Sequence, residues 1–364
     1  MSRRILIACG GTGGHVFPGV AAAQALRAAG AETAIILSGR AVEGDRPAGW
    51  DGAVITIPCP PPRWRSPHGA AKSVINLARA FAKARREIKA FAPDALLAMG
   101  SYTSVPPALA ARWLGVPLIL HEANAIPGAA VSFLSRFARL VCLAFNDCAK
   151  KLPKNTKTTL TGLPLRAATC GQPAGNFADA ARFTILVMGG SQGAESINHA
   201  IAGAARILDA GQWPAAAKPL RIIHLAGAKN EAAVRAQYDG LKNTAIEVIG
   251  FSNEMGALYA ASDLCVSRAG AASCFELCAN GLPSLLIPLP KLARDHQLYN
   301  ARELERLRCA ETLLQSAATP EALAARLSAL ATSPDKLRAM SDAARRAAQA
   351  APAEKLAAAI LAEL

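Results

Sequence analysis

The sequence predicts an α/β protein of two Rossmann-like domains with parallel sheets. Short apolar runs, typical of buried strands, alternate with alanine-rich helical stretches along the whole chain. Two glycine-rich turns of one design, GGTGGH at 10–15 and GGSQGA at 189–194, each join such a run to a helical stretch. At 364 residues the chain is long enough for two domains of ordinary size.

The apolar runs place strands in both halves of the chain. In the first half we expect them at 3–9, 32–38, 53–58, 94–99, 117–121, 140–145 and 157–161. In the second half we expect them at 182–188, 220–226, 245–250, 264–267, 284–288 and 309–314. Loop-like residues around 162–181 separate the halves. We therefore expect domains at 1–162 and 163–340, followed by a helical tail at 341–364 that packs back on the first domain.

The composition indicates a globular protein with an anionic partner. Hydrophobic residues make up 52% and charged residues 18%, which argues against disorder. The net charge of +14 favours anionic lipid or phosphorylated metabolites as partners. Nucleic acid ranks lower, because aromatics are only 5% and no basic–aromatic RNA signature is present. No apolar run reaches the ~18–20 residues of a membrane span, the N-terminus does not resemble a signal peptide, and the scattered cysteines indicate reduced core residues.

Each glycine turn can bind an anion, because it places unpaired backbone N–H groups at a helix N-terminus. Neither turn matches the dinucleotide fingerprint or the P-loop, and a plain βα turn is the alternative interpretation. His15 follows the first turn and is a candidate general base, although it could instead cap the helix or fill the core. The chain has no Asp-x-Asp motif, so we expect neither a metal nor another cofactor.

Two segments of the second half carry polar groups suited to a sugar nucleotide. Glu276 follows the small-residue turn 267–273 and can accept hydrogen bonds from both hydroxyls of a ribose. Compensation of the helix dipole is the alternative function for Glu276. Residues 295–301, DHQLYNA, combine amide and imidazole groups that suit sugar hydroxyls, with helix capping as their alternative.

The order of these motifs resembles that of the MurG glycosyltransferases of peptidoglycan synthesis. The motifs are GGTGGH, Gly100-Ser101-Tyr102, His121-Glu122-Ala123-Asn124, Gly162-Leu163-Pro164-Leu165-Arg166, GGSQGA, Arg268-Ala269-Gly270 through Glu276, and DHQxxNA. The resemblance spans nearly the whole chain and implies a GT-B fold, in which two Rossmann-like domains face a central cleft. It also implies inverting transfer of N-acetylglucosamine from UDP-GlcNAc to the MurNAc 4-hydroxyl of lipid I, giving lipid II. The expected location is the cytoplasmic face of the plasma membrane, with other cell-wall synthesis proteins as further partners.

For this reaction His15 is the candidate catalytic base, and Glu122 or His121, at the end of another strand of the same half, could substitute for it. The helix after GGSQG would stabilise the leaving diphosphate. The residues implied to bind UDP-GlcNAc are Thr12, Gly13, Gly14, Asn124, Arg166, Ser191, Ser252, Ala271, Ala272, Ser273, Cys274, Phe275, Glu276, His296 and Gln297. This chain has Ala123, Leu163 and Ser101 where the family usually has glutamine, asparagine and glycine, which puts details of the acceptor side in doubt.

A basic helical stretch at 72–89 is the candidate membrane contact. Lys72, Arg79, Lys83 and Arg86 share one helical face, and Arg63, Trp64 and Arg65 precede the stretch. We expect the opposite, apolar face to pack on the domain through Val74, Leu77, Ala78, Phe81 and Ile88. A helix with a merely solvated charged face is the alternative.

Two other functions remain open from the residues alone. One is a GT-B glycosyltransferase with a different acceptor, such as a glycolipid or a small metabolite. The other is a non-catalytic protein that binds a sugar nucleotide. The joint presence of His15, Glu276 and Gln297 argues against loss of turnover.

Overall fold

The computed structural model describes residues 2–40, 43, 47–63, 66–166, 169, 181–190, 193–290 and 293–364. Residues 1–166 and 349–364 form one unit, and residues 167–348 form a second. The first boundary thus falls slightly later than the one expected after residue 162. The expected tail is divided, because α11 (Pro334–Ala347) lies in the second unit, whereas the residues from Gln349 onward belong to the first.

The first unit alternates strands and helices. Its strands are β1 (Arg4–Ala8), β2 (Glu32–Leu37), β3 (Ala53–Thr56), β4 (Ala95–Ala98), β5 (Leu118–Glu122), β6 (Leu140–Leu143) and β7 (Thr158–Leu160). Its helices are α1 (Gly13–Ala28), α2 (Pro67–Phe91), α3 (Val105–Trp113), α4 (Ala129–Leu134) and α12 (Pro352–Leu361). Every strand predicted for the first half is confirmed.

The strands of the first unit form one parallel sheet in the order β3-β2-β1-β4-β5-β6-β7. The chain moves outward from β1 to β3 and then crosses to the other side of β1 with β4. The loops after β1 and β4 therefore diverge and leave a crevice at the carboxyl ends of these strands. This switch point is where the first glycine turn lies.

Helices cover both faces of this sheet. Ile5 and Ile7 of β1 point to the layer formed by α1 and α12, where Leu356 is fully buried. Leu6 and Ala8, which alternate with them, point to the layer formed by α2, α3 and α4. Burial on both faces explains why the strands are continuous apolar runs rather than alternating ones.

The second unit repeats this architecture. Its strands are β8 (Phe183–Met188), β9 (Leu220–Leu225), β10 (Ala245–Ile249), β11 (Leu264–Ser267), β12 (Ser284–Leu286) and β13 (Ala310–Thr312). Its helices besides α11 are α5 (Glu195–Ile207), α6 (Glu231–Gln237), α7 (Met255–Ala260), α8 (Ala271–Ala279), α9 (His296–Arg306) and α10 (Pro320–Ala331). The parallel sheet has the order β10-β9-β8-β11-β12-β13, with its switch point between β8 and β11. All six strands predicted for the second half are confirmed.

The packing of α2 corrects the expectation for the basic helix. Its buried face consists mainly of small residues, namely Ser73, Ala80, Ala84 and Ile88. Val74 and Ile75 are instead 56% and 50% exposed, Ala78 is exposed, and Leu77 and Phe81 are half-buried. Small side chains allow α2 to approach α3 and the sheet closely, which turns the larger apolar side chains outward. No helix among the described residues combines the length and apolarity of a transmembrane span.

A chain of buried polar groups crosses the core of the second unit. The Asn198 side-chain amide donates to the Ala226 carbonyl, so its oxygen faces His224 Nε2 at 3.0 Å. His224 Nε2–H therefore donates to Asn198, and its Nδ1 accepts from the Tyr238 hydroxyl at 2.7 Å. This arrangement satisfies a neutral imidazole, and burial lowers the pKa of His224 to about 4.

We expect acid to destabilise the second unit through His224. The folded pKa lies below the unfolded value of about 6.5, so the unfolded state binds the extra proton. The free energy of unfolding should hold above pH 6.5, fall by about 3 kcal/mol as the pH drops to about 4, and then level off. Denaturant titrations of wild type and His224→Gln across this range measure the effect. Parallel pH profiles of the two proteins would contradict it.

Candidate active site

The loop after β1 begins helix α1 at the switch point of the first sheet. Thr12 is the N-cap residue and has an extended backbone. The structure describes the whole first turn of α1, and this turn contains no acidic residue. The amides of a first helical turn have no carbonyl partners within the helix, and the helix dipole favours negative charge there. The backbone amides at Thr12, Gly13 and Gly14 therefore have the character that an anion site requires, and their role as such a site stays a prediction.

Side chains from two neighbouring segments form three hydrogen bonds with the peptide groups of this loop. The Gly11 amide donates to the carboxylate of Glu43 at 2.5 Å, and Arg40 Nη1 donates to the Gly11 carbonyl at 3.0 Å. The Thr103 hydroxyl donates to the Gly10 carbonyl at 2.6 Å. Glu43 is buried and also accepts from the backbone amides of Ser38 and Gly39. Sequence reasoning missed Glu43, because a single acid in the loop after β2 carries no motif.

Ser101 lies directly against this loop. Its backbone has φ 64° and ψ 154°, a region that favours glycine, the usual family residue here. A Cβ on Gly11 would come within 2.6 Å of the Ser101 hydroxyl oxygen, so Gly11, with φ 130°, cannot be larger. The departure at Ser101 therefore places a hydroxyl at the switch point, in contact with the glycine turn.

His15 lies in the first turn of α1 and is half-buried. Its Nδ1 is 3.2 Å from the Thr12 hydroxyl oxygen. With its proton on Nδ1, the imidazole donates to Thr12, and Nε2 is then the nitrogen that can accept a proton. The ring also lies over Gly100 at the end of β4, since a Cβ there would be 3.5 Å from His15 Cδ2. The structure thus brings the candidate base to the crevice between β1 and β4.

Glu122 ends β5 and is only 4% exposed. Its Oε1 accepts from the amide of Asn124 at 2.9 Å and from its side chain at 3.0 Å, while Oε2 accepts from Gly128 at 2.8 Å. Burial raises the pKa of Glu122, and these hydrogen bonds oppose that shift. Glu122 therefore shapes the loop 123–128, here called the acceptor loop, and orients Asn124.

His121 is fully buried beside Glu122. Its Nε2–H donates to the Gly162 carbonyl at 2.9 Å, and Nδ1 has no hydrogen-bond partner in the described chain. Burial is the largest cause that lowers the pKa of His121 to about 4. The nearby His15 also lowers this pKa, by a smaller amount. His121 is thus neutral near pH 7 and has no exposed atom with which to reach a substrate.

Arg166 is the last residue of the main segment of the first unit. Its guanidinium lies 4.4 Å from the ring centroid of Phe17 on α1. This cation–π contact keeps the positive charge near the N-terminal turn of α1. Arg166 therefore places a positive charge beside α1.

The glycine turn of the second unit follows β8. Gly193 has φ 75°, and a Cβ there would lie 2.0 Å from the Ala226 carbonyl oxygen, so only glycine fits. Its amide donates to the Gly190 carbonyl at 2.9 Å, which closes the turn before α5. The predicted site residue Ser191 lies outside the described residues.

Glu276 lies in the second turn of α8, at the end of β11. The Tyr259 hydroxyl, on α7, donates to Glu276 Oε2 at 2.6 Å. Tyr259 is fully buried, so its hydroxyl holds the Glu276 carboxylate from the core side of α8. Tyr259 was also missed, since a tyrosine on a short helix gives no motif that links it to Glu276.

The other predicted residues of α8 differ in how far their side chains are buried. Ala271, Ala272 and Ser273 are half-buried and reach the surface of the unit. Cys274 and Phe275 are 0% and 8% exposed, and burial raises the pKa of the Cys274 thiol. Cys274 and Phe275 can therefore contact a ligand only through backbone groups, and their side chains belong to the core.

His296 and Gln297 begin α9 after a sharp turn. Arg294 and Asp295 both have left-handed backbone conformations, with φ of 64° and 49°. Gln297 Oε1 accepts from the Leu289 amide at 2.9 Å, which leaves its NH₂ as the donor for a ligand. Asn300, in the same motif, is fully buried and donates to the Ala269 carbonyl, so it ties α9 to the end of β11.

Two further residues of the second unit have clear structural partners. Ser252 follows β10 and caps the next turn by accepting from the Glu254 amide at 3.0 Å, while Phe251 beside it is exposed. Arg268 is buried, and its guanidinium donates to the Ile287 carbonyl and the Ser196 hydroxyl. Arg268 therefore joins the ends of β11 and β12 to α5.

The predicted residues that the structure describes fall into two sets, one in each unit. Thr12, Gly13, Gly14, His15, Glu122, Asn124 and Arg166 belong to the first unit. Ser252, Ala271–Glu276, His296 and Gln297 belong to the second. The first set combines an imidazole and a guanidinium with the amides of a helix N-terminus, and the second combines a carboxylate with a side-chain amide.

Family models match both units. The model described as the glycosyltransferase family 28 N-terminal domain matches residues 5–143, and that of the C-terminal domain matches residues 184–358. Relatives match over nearly their full lengths. A UDP-N-acetylglucosamine--N-acetylmuramyl-(pentapeptide) pyrophosphoryl-undecaprenol N-acetylglucosamine transferase of Methylobacterium radiotolerans is 39% identical over 363 residues, 97% of this chain and 95% of the relative. The transferase of the same name from Azotobacter vinelandii is 35% identical over 96% of this chain and 95% of the relative.

The crystal structure of Acinetobacter baumannii MurG superposes with a TM-score of 0.80 at 29% identity and covers 99% of both chains. This likeness and the two family matches confirm the GT-B fold. The chain belongs to glycosyltransferase family 28 and, within it, to the MurG family of UDP-N-acetylglucosamine--N-acetylmuramyl-(pentapeptide) pyrophosphoryl-undecaprenol N-acetylglucosamine transferases.

Proposed function

We propose that this enzyme transfers N-acetylglucosamine by a single inverting displacement in which His15 is the base. The overall reaction is that of its family: N-acetylglucosamine moves from UDP-GlcNAc to lipid I and gives lipid II in peptidoglycan synthesis. In the step we propose, the 4-hydroxyl of MurNAc attacks the anomeric carbon, the bond to the UDP oxygen breaks, and the hydroxyl proton goes to His15 Nε2.

The contact between Thr12 and His15 carries the assignment of the base. A base needs a fixed tautomer and a ring held at the reacting centre. Thr12 would fix the tautomer by accepting from Nδ1–H of His15 at 3.2 Å. The neighbouring Gly100 would help to hold the ring in place. Glu122 is less suited, because its oxygens are occupied by the acceptor loop. We therefore assign Glu122 to positioning Asn124 rather than to proton transfer.

The leaving diphosphate needs groups that stabilise its growing negative charge. The N-termini of α1 and α5 each follow a glycine turn and direct backbone N–H groups and a positive dipole end outward. Arg166, beside α1, adds a full positive charge. Each of these helix N-termini could bind a phosphate group without an Asp-x-Asp metal motif, which the chain lacks.

We assign nucleotide and sugar recognition to the second set of residues. The Glu276 carboxylate, fixed by Tyr259, would accept from the two ribose hydroxyls. The NH₂ group of Gln297, aimed by its bond to Leu289, would donate to a hydroxyl of the transferred sugar, with His296 beside it. Ser252 follows exposed Phe251 and would place its backbone at the uracil.

The two alternatives that the residues left open are tested by one assay. UDP release from UDP-GlcNAc should need a lipid I analogue and should be slow without it. Release that depends instead on an unrelated glycolipid would indicate another acceptor. No release with any acceptor would indicate a protein that only binds the nucleotide.

We also propose peripheral attachment to the cytoplasmic face of the plasma membrane through α2 and α3. Exposed Val74 and Ile75 lie on α2, and Trp113 at the end of α3 is 74% exposed and contacts Phe81 edge to face. Lys72 and Arg79 are exposed on α2, whereas Lys83 is half-buried and Arg86 pairs with Glu87. Apolar side chains beside lysine and arginine are typical of helices that lie in the interface of anionic membranes. Trp64 and Arg65, also predicted here, lie outside the described residues.

His15→Ala should lower kcat by about 10²–10⁴-fold with little change in UDP affinity, since a positioned base contributes on that scale. Thr12→Val, which only frees the ring, should cost about 2–10-fold, the value of one hydrogen bond, and Thr12→Ser should be close to wild type. Steady-state kinetics and UDP titration calorimetry measure both effects. Near-normal turnover of His15→Ala would move the proton to another group.

Glu276→Ala should act mainly on the donor. Loss of hydrogen bonds to a charged group costs about 2–4 kcal/mol, so KM for UDP-GlcNAc should rise by about 30-fold or more while kcat changes less. Tyr259→Phe keeps the carboxylate and removes only its fixing bond, so its KM should lie between those of wild type and Glu276→Ala. If KM for UDP-GlcNAc were unchanged in Glu276→Ala, the proposal that Glu276 binds the ribose hydroxyls would be wrong.

Substituting Lys72, Arg79, Lys83 and Arg86 together by Gln should weaken binding to vesicles that contain anionic lipid, and raised salt should weaken wild-type binding similarly. A matched variant with Lys229, Lys242, Arg302 and Arg338 changed to Gln removes the same charge from exposed positions of the second unit. Co-sedimentation measures both. Equal binding of the two variants would show that net charge, not the α2 surface, holds the enzyme at the membrane.

A further inference from the structure

Two phenylalanines are exposed together at the end of α4. Phe133 and Phe137 are 43% and 42% exposed, and their rings meet edge to face with centroids 5.7 Å apart. They are four residues apart, so they share one side of the helix and the turn that continues it. We call them the α4 aromatic pair. Exposed large apolar side chains that touch each other are typical of a binding surface.

Helix α4 starts at the acceptor loop and passes the candidate base. The Gly128 amide, at its N-cap, donates to Glu122 Oε2 at 2.8 Å. Val131, in the first turn, lies 3.8 Å from the position of a Cβ on Gly100, the same position that His15 approaches to 3.5 Å. At 1.5 Å of rise per residue, Phe133 stands only about 8 Å along the helix from Gly128. The aromatic pair is therefore one helix turn beyond the reacting centre of the acceptor side.

A positive charge accompanies the pair. Arg136 is exposed, and it forms no ion pair or hydrogen bond within the described residues. Arg139, also exposed, donates to Glu363 at 3.2 Å and is thereby neutralised. Arg136 is thus available to an anion that arrives at the aromatic pair.

The pair continues one apolar surface. The large apolar side chains exposed in the described part of the first unit are Val74, Ile75, Trp113, Phe133, Phe137 and Leu160. All but Leu160 lie on the layer of α2, α3 and α4 or on the turn that ends it, and α1 and α12 on the opposite face contribute none. Exposed apolar side chains therefore occur on each of these helices, from the proposed membrane contact on α2 to the helix that follows the acceptor loop.

We infer that the α4 aromatic pair and Arg136 bind the lipid end of the acceptor: the isoprenoid segment next to the pyrophosphate lies on the two rings, and Arg136 faces the phosphate. The inference rests on the proposed function, since a polyprenyl pyrophosphate joins an apolar chain to an anion as this surface joins two rings to a cation. The occupant is the acceptor itself and not the bilayer, because the pair adjoins the acceptor loop. The surface would guide the sugar of a membrane-held substrate to His15.

Acceptor chain length separates this role from membrane binding. Transfer is measured in detergent micelles, without vesicles, to a lipid I analogue with a long polyprenyl chain and to one with a short alkyl chain. Phe133→Ser with Phe137→Ser should raise KM for the long-chain analogue by about 10-fold or more, and should leave KM for the short-chain analogue and for UDP-GlcNAc unchanged. Phe133→Leu with Phe137→Leu, which keeps an apolar surface, should restore most of the affinity. Arg136→Gln should raise KM for both acceptors, because both retain the pyrophosphate.

Val74→Ser with Ile75→Ser is the matched control on α2. It should weaken vesicle binding and leave the ratio of the two acceptor KM values as in wild type. An unchanged ratio in the Phe133/Phe137 serine variant would overturn the inference. If the serine variant kept the wild-type ratio of acceptor KM values but lost vesicle binding, the inference would also be overturned, and the pair would be assigned to the bilayer. Failure of wild type to use either acceptor would instead overturn the proposed function. Normal use of the short-chain analogue shows that the Phe133/Phe137 and Val74/Ile75 variants are folded, and an unchanged KM for UDP-GlcNAc shows the same for Arg136→Gln.

Discussion

The first unit depends on how a single peptide is held at the switch point of its sheet. The Gly11 amide donates to buried Glu43, and the Gly11 carbonyl accepts from Arg40, both from the loop after β2. Thr103, from the segment after β4, holds the neighbouring carbonyl of Gly10. A glycine turn without such bonds would sample many conformations, because glycine loses the most entropy when it is fixed. The bonds to strand ends on both sides of β1 therefore convert a flexible turn into a rigid start for α1.

The geometry that we propose for catalysis depends on that rigid turn. Once Thr12 is fixed as the N-cap of α1, its hydroxyl sets the orientation of His15 one turn later. The end of β4 contributes Gly100, which lies beside the imidazole of His15. The end of β5 contributes Glu122, which is buried and builds the loop that carries Asn124. Neighbouring strands of one parallel sheet thus each supply one part of the acceptor side, a common use of carboxyl-terminal strand ends.

The helical layer on one face of the same sheet carries the surface that we propose to meet the membrane. Small residues on the inner side of α2 allow close packing, and the larger apolar residues are consequently turned to the surface. Trp113 and the α4 aromatic pair extend this surface toward the acceptor loop. If both proposals hold, this packing of α2 places the membrane contact and the surface for the acceptor on the same helical layer.

The sequence by itself determined the strands, the two sheets, the glycine turns and the residue types of the site, because apolar runs, glycines and motif order are local properties. The tertiary structure decided which side of α2 is buried, since helical periodicity identifies faces but not the neighbour that each one meets. It also showed that Glu122 and Asn300 are buried and hydrogen-bonded to backbone groups, and it revealed the contacts of Glu43 and Tyr259. Those four roles depend on hydrogen bonds whose partners often lie far apart in the sequence, and only the folded sheet brings such partners together.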